Sequence, residues 1–262
     1  MDQTLLEAFR GCRTEPATDE GRVASLVAQV VEPALDASDV ERELQALATG
    51  CSARATPWHY LAELGFEGNR EDYGSLDNSN LARVLHTRRG IPITLGVLLI
   101  RVARVTGRQA VGINFPGHFI VEVDDVLVDP FVLEPMDRAQ FLERLPAASR
   151  GLSRQTLFAP ASPVAVGLRM LNNVKLVYSR EAAWHRTLDV VDAQLELAPE
   201  QPALHLERGD LWRRLGLVAP ARESFQRALE LVSPAATDDA EQVRRALRAR
   251  LDELTGSDDV VH

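Results

Sequence analysis

Two side chains in this sequence are spaced for acid–base chemistry, His118 and Asp129, and both fall inside the stretch Arg89 to Phe131. If Asp124-Asp125 is a two-residue turn, Val123 faces Val126, Val121 faces Val128 and Ile120 faces Asp129. Period-two alternation then puts His118 on the face of Ile120, with Asp129 as its diagonal cross-strand neighbour, roughly 7–8 Å away between backbones. A carboxylate at that reach can fix an imidazole tautomer. An oriented histidine beside the start of a buried helix is two parts of a Cys-His-Asp constellation. The third part would be a thiol at the helix N-terminus, where the dipole lowers its pKa. The only cysteines, Cys12 and Cys51, lie far upstream, and the helix start carries Pro92, Ile93 and Thr94. Thr94 is therefore the one hydroxyl that His118 could activate there. The competing expectation is a threonine that packs or caps by bonding backbone.

The elements that must position these residues are a helix and a hairpin. Pro92 suits a first helical position, where its missing N–H is no loss. Leu95, Leu98, Leu99 and Val102 follow the i, i+3, i+4, i+7 spacing, and Val97, Ile100 and Val105 widen the stripe until little polar face remains. The helix is expected inside. Gly107 ends it, and three β-rich runs follow: Gln109 to Phe115, His118 to Asp124 and Val126 to Asp129.

Upstream, short amphipathic helices are expected around Leu5, Leu6 and Phe9, around Val23 to Val30, and from Val40 to Leu47. Ser38-Asp-Val-Glu41 reads as a capping box for the third. Trp58 to Phe66 suggests another short helix, and Asn78 or Ser79 would cap one that runs to Arg88. His86 on that helix has no second ligand at i+3 or i+4 and reads as a surface or boundary histidine, and Cys51 as a small buried thiol. Ala147 to Pro163, rich in Ala, Ser and Pro, is expected to divide residues 1–150 from a helical module at 164–256. In that module a frame of about 34 residues set on Pro202 puts Gly209, Trp212, Ala221, Phe225 and Ala228 on the small and aromatic positions of a tetratricopeptide repeat. An earlier frame matches at Tyr178 and Pro199 but not at Lys175 or Thr187, and a last helix from Asp239 to Leu254 would cap the stack.

Bulk properties exclude several classes. With 262 residues and a formal charge of −9, the chain lacks the broad basic surface that phosphate-backbone binding needs, so nucleic acid is not the expected partner. Two distant cysteines exclude a cysteine-rich zinc site and fit a reducing compartment. No apolar run approaches the roughly 20 residues of a membrane span, and none near the start reads as a signal peptide, which makes the cytoplasm the expectation.

The segment resembles the core of the transglutaminase-like superfamily, in which Gly-x-Cys opens a buried helix, Arg-x-x-Gly closes it, and a His strand and an Asp strand follow. Gly90, Arg104, Gly107, His118 and Asp129 fall on that pattern, and Pro92 stands where its cysteine would be. The wording Gly90-Ile-Pro-Ile-Thr-Leu95, Pro116-Gly-His-Phe119 and Asp129-Pro-Phe131, with Phe66-Glu-Gly-Asn69 and Asn78-Ser79 ahead of it, is similar to the narrower bacterial SirB-type family. The resemblance implies an α+β fold: a helix-rich transglutaminase-like domain, of the papain-like cysteine-protease superfamily, with a small antiparallel sheet, followed by an all-α tetratricopeptide-like module.

Three functional readings follow. The first is a non-catalytic transglutaminase-like protein that docks a protein partner through its helical module, with no cofactor and His118 and Asp129 kept as a buried pair. The second is a hydrolase or acyl-transferase on amide or ester bonds that uses Thr94 with His118 and Asp129. The third is a divalent metal held by His118, Asp129 and Glu122.

Overall fold

The computed structural model describes residues 1–232 and 238–258. The chain forms two compact units, one of residues 11–177 and one of residues 1–10 with 178–262.

In the larger unit everything is arranged around one apolar helix. The helices α1 (Gln3–Thr14), α2 (Glu20–Val31), α3 (Ala37–Thr49) and α4 (Pro57–Glu63) precede a two-residue strand β1 (Glu67–Gly68). A 3₁₀ turn (Leu76–Ser79) leads to α5 (Leu81–Thr87), and β2 (Arg89–Gly90) pairs in parallel with β1. The helix α6 (Pro92–Val105) follows, opened by Pro92 as its spacing predicts. Leu95, Leu98, Leu99 and Val102 are wholly buried, because α2, α3 and α4 lie against α6 on one side and a sheet on the other. At roughly 25 cal/mol per Å² of apolar area, a helix apolar on most of its surface gains most of its stability from that enclosure rather than from propensity.

The sheet has four antiparallel strands in sequence order: β3 (Ala110–Ile113), β4 (Ile120–Val123), β5 (Val126–Asp129) and β6 (Glu134–Pro135). Val121 pairs with Val128 and Val123 with Val126, around a turn in which Asp124 and Asp125 take left-handed φ of 47° and 69°. This is the conformation a two-residue hairpin loop needs, and Asp tolerates it better than most residues. One sheet face, with Phe119 and Val121, packs on α6. A Cβ added at Gly96 or at Gly112 would come within 2.5 Å of the Phe119 ring, so the two glycines form the slot that seats it. The opposite face, with Ile113, Phe115, Ile120 and Leu127, is covered by Phe141 of α7 (Arg138–Glu143), Leu145, and Leu157 of α8 (Arg154–Leu157).

Several sequence-based expectations need correction. β5 has the expected bounds, but β3 and β4 are shorter than expected, and His118 lies in the turn before β4 rather than within it. The Ser38–Glu41 capping box does not form, because Asp36 takes the N-cap position first and accepts from the Ser38 amide at 2.8 Å. Asn80, not Asn78 or Ser79, caps α5. Residues 147–163 pack on the sheet: Pro160 bridges Ile113, and the Ala161 amide donates to the Gly112 carbonyl at 2.7 Å. The two units instead divide within α9 (Pro163–Arg180), at Tyr178.

The smaller unit is built from α10 (Trp184–Leu197), α11 (Pro202–Arg214), α12 (Val218–Leu231) and α13 (Asp238–Asp258), together with the start of α1. Arg10 pairs with Glu196 at 2.8 Å, and Arg208 with Asp192 at 2.9 Å. In the α11–α12 hairpin the Phe225 ring lies directly on Gly209, where any Cβ would overlap it. Among the described residues, no helix is long and apolar enough to cross a membrane.

Candidate functional site

The hairpin register and the turn at Gly117 (φ 75°) bring His118 and Asp129 together: Nε2 lies 2.9 Å from Oδ1. The ring N–H is not aimed along that line, so the contact is electrostatic rather than a linear hydrogen bond. Asp129 is almost fully buried and has two further partners. Its Oδ1 accepts from the Phe131 amide at 2.9 Å, and its Oδ2 meets Arg144 Nη1 at 3.2 Å. Burial pushes the Asp129 carboxyl up, but the imidazole, the Phe131 amide and the guanidinium outweigh it, and the net position is below the ordinary carboxylate range. His118 packs its ring against Phe141, 6.1 Å between centroids, on the sheet face opposite to α6.

The start of α6 is occupied otherwise. Pro92 holds the first helical position, and Thr94 is fully buried, its hydroxyl donating to the carbonyl of Asn78. No hydrogen bond joins Thr94 to His118 among the described residues. The Asn78 side chain is itself spent: its amide donates to the Asp72 carbonyl at 2.6 Å and the Tyr73 carbonyl at 3.1 Å, and its oxygen accepts from Asn69 at 2.9 Å. The Gly-Asn and Asn-Ser stretches thus build a closed backbone turn under the helix start. Phe131 closes it from the other side, its ring on Gly68 and 6.0 Å from that of Tyr73.

Neither thiol is placed as a nucleophile. Cys51 is buried, with Sγ 3.6 Å from the Ser52 carbonyl, and the charge that acts on it is that of Arg108, beyond the C-terminal end of α6. With 14 residues at about 1.5 Å each, that end lies roughly 20 Å from Pro92. Burial raises the pKa of Cys51, and likewise that of Cys12, where Arg22 opposes it only in part. Both thiols are held protonated, the reverse of what attack requires.

Among the described residues, no group of His, Cys, Asp and Glu could hold a metal ion. Glu122, the third ligand considered from sequence, faces Arg138 at 3.7 Å.

Arg104 and Gly107, the Arg-x-x-Gly pair, do structural work at the other end of α6. Arg104 grips the buried Glu20 carboxylate at 2.6 and 3.1 Å and donates to the Ala110 carbonyl at 2.9 and 3.1 Å, which ties α2, α6 and β3 together. Arg144, Glu20 and Arg169 carry no signal in the sequence, because each acts on a partner set by tertiary structure.

Comparison with known proteins agrees with this geometry. Residues 28–172 match the family model described as the transglutaminase-like superfamily. A UPF0162 protein of Xylella fastidiosa (strain 9a5c) is 34% identical over 183 residues, which is 66% of this chain and 65% of that protein. A UPF0162 protein of Pseudomonas aeruginosa is 34% identical over 66% of this chain and 64% of its own length. The chain thus spans just under two thirds of these relatives. The F-box only protein 21 of mouse is 28% identical over 59% of this chain, a stretch that makes up 27% of the mouse protein. No solved structure matches. With more than half of its residues on the family model, and with His118 and Asp129 paired across its hairpin, the chain belongs to the transglutaminase-like superfamily.

Proposed function

We propose that this chain is a non-catalytic transglutaminase-like protein, a member of the SirB-type group, that acts as a binding or regulatory module. The observation that carries the reading is at the start of α6. Proline stands in the position of the nucleophile, and the one hydroxyl in that turn is buried and donates to the Asn78 carbonyl. A hydroxyl needs a base within about 2.6–3.2 Å, or one water away, to become a nucleophile. Asp129 serves as the buried anchor for the Phe131 amide and Arg144, so His118 and Asp129 act here as architecture.

We further infer that the smaller unit is tetratricopeptide-like and docks a protein partner. Gly209 beneath Phe225, with Ala221 and Ala228 buried beside it, supports the repeat reading. An apolar groove of about 340 Å³ lined by Pro202, Leu206, Val232 and Val243 supports the docking reading. The matched stretch of the mouse protein, a minor part of a longer chain, supports modular use. Two free, buried thiols are consistent with a reducing cytoplasm.

The test is direct. Purified protein is incubated with glutamine-containing acceptor proteins plus an amine donor, and separately with amide and ester reporters, beside His118→Ala. The expected result is no turnover above the blank in either protein. Turnover that His118→Ala abolishes would restore the enzyme.

A further inference from the structure

Arg169 is a half-buried arginine in α9 without an acidic partner. Its Nη1 donates to the Phe115 carbonyl at 3.0 Å, and its guanidinium carbon lies 6.0 Å from the centre of the Phe119 ring. Among the described residues, no carboxylate lies within ion-pair distance of it. A guanidinium has five N–H donors in a rigid fork, and one is accounted for. Partly buried arginines elsewhere in this unit are matched: Arg104 with Glu20, Arg22 with Glu41, Arg101 with Asp19. An unmatched guanidinium is expensive to desolvate, and burial holds that of Arg169 below its ordinary pKa. Among the described residues, the titratable group that acts on it is the Tyr73 phenol, which desolvation keeps protonated.

The place is also specific. The Phe115 carbonyl that holds Arg169 also accepts from the His118 amide, at 3.0 Å, so Arg169 stands at the turn that presents the histidine. Tyr73, exposed and with Phe131 against its ring, supplies apolar surface beside it. We propose that Arg169 is the anchor of a binding site for a carboxylate borne on an apolar body, a peptide C-terminus or an acidic side chain. A planar fork matches a carboxylate in two parallel hydrogen bonds. The single charge of Arg169 matches the single charge of a carboxylate. The site does not depend on whether His118 is catalytic.

The experiment is NMR titration of the full chain with N-acetyl-leucine, which carries a free carboxylate, and with its amide, which does not. A third probe, N-acetyl-aspartyl amide, presents the carboxylate on a side chain and separates the two sources. The acid is expected to shift the amide resonances of Phe115, Gly117, His118, Phe119 and Tyr73 with millimolar affinity, and the neutral amide to leave them in place. Arg169→Gln should weaken the acid at least tenfold. Arg169→Lys, which keeps charge but not the fork, should bind it more weakly than wild type and more tightly than Arg169→Gln. Equal shifts with acid and amide, no shift with either carboxylate up to about 50 mM, or undiminished binding by a folded Arg169→Gln would each overturn the site. If Arg169→Gln does not fold, the acid-against-amide comparison in the wild-type protein decides alone.

Discussion

Arg144 reaches across the outer face of the sheet to Asp129, Nη1 to Oδ2 at 3.2 Å, and so covers from solvent the carboxylate that His118 and the Phe131 amide hold from the other side. Two donors and the imidazole converge on an acid that is 2% exposed, whereas Arg144 is 55% exposed. The energetic weight is therefore on Asp129.

Asp129→Ala should destabilise the protein by about 2–4 kcal/mol, because it strands an amide, an imidazole and a guanidinium around a vacated site. Arg144→Ala should cost under about 1 kcal/mol, as an exposed partner does. Urea unfolding monitored by circular dichroism measures both. Since Asp129 titrates lower folded than unfolded, its contribution is present above about pH 4 and is lost as pH falls through the folded value. An Asp129→Ala cost below about 0.5 kcal/mol would mean that the cluster is ornamental.

The Glu20–Arg104 pair should respond unequally to loss of either partner. Glu20 is 4% exposed and Arg104 38%, so Arg104→Met leaves a buried carboxylate alone and should cost about 3–5 kcal/mol. Glu20→Gln leaves a cation that water and the Ala110 carbonyl still solvate, and about 1–2 kcal/mol is expected. Equal losses in chemical denaturation would contradict this assignment of the buried member.

Gly209→Ala and Gly96→Ala test the two aromatic seats. In a helix this change ordinarily stabilises by about 1 kcal/mol. Here the added methyl meets Phe225 in one case and Phe119 in the other, and overpacking should reverse the sign to a net loss of about 1–3 kcal/mol. Differential scanning calorimetry should show a lowered melting temperature for each variant. A rise in either would mean that its ring is free to move aside.

The smaller unit should weaken in mild acid through His205. Burial lowers the pKa of this imidazole, the Pro199 carbonyl at 2.7 Å raises it, and Arg208 and Arg227 lower it again, for a net value below 6.5. The unfolded chain takes the proton first, so stability is complete above about pH 6.5 and declines as pH falls towards the folded value. Between about pH 7 and 5, His205→Gln should show a shallower decline than wild type in thermal unfolding. Superimposable pH profiles would remove His205 from this role.

How much of this could be read from the residues depended on whether a signal was local. Pro92 and the all-round apolar stripe behind it mark α6, and Asp124-Asp125 sets the hairpin register, because both are encoded within a few positions. That register sets Asp129 at the end of β5, and the turn at Gly117 rather than strand alternation brings His118 to it. The β1–β2 clasp escapes notice because two-residue strands have no periodicity. Residues 147–163 read as a linker by composition, yet Leu157 and Pro160 are what seal the sheet. The hydroxyl of Thr94 is within reach of a catalytic role on paper. Its real acceptor, the Asn78 carbonyl, comes from a turn sixteen residues earlier that only the folded chain places there.

The family-matched stretch begins at residue 28, but the sealing of α6 begins earlier. Val23, Ala24, Leu26 and Val27 are each at most 1% exposed, and Glu20 supplies the carboxylate that fastens Arg104. A protein cut at the homology boundary would open a greasy furrow along its central helix and lose a clamp at one end. Whoever excises this domain for study should start ahead of Asp19, whose side chain caps α2, or expect an insoluble fragment.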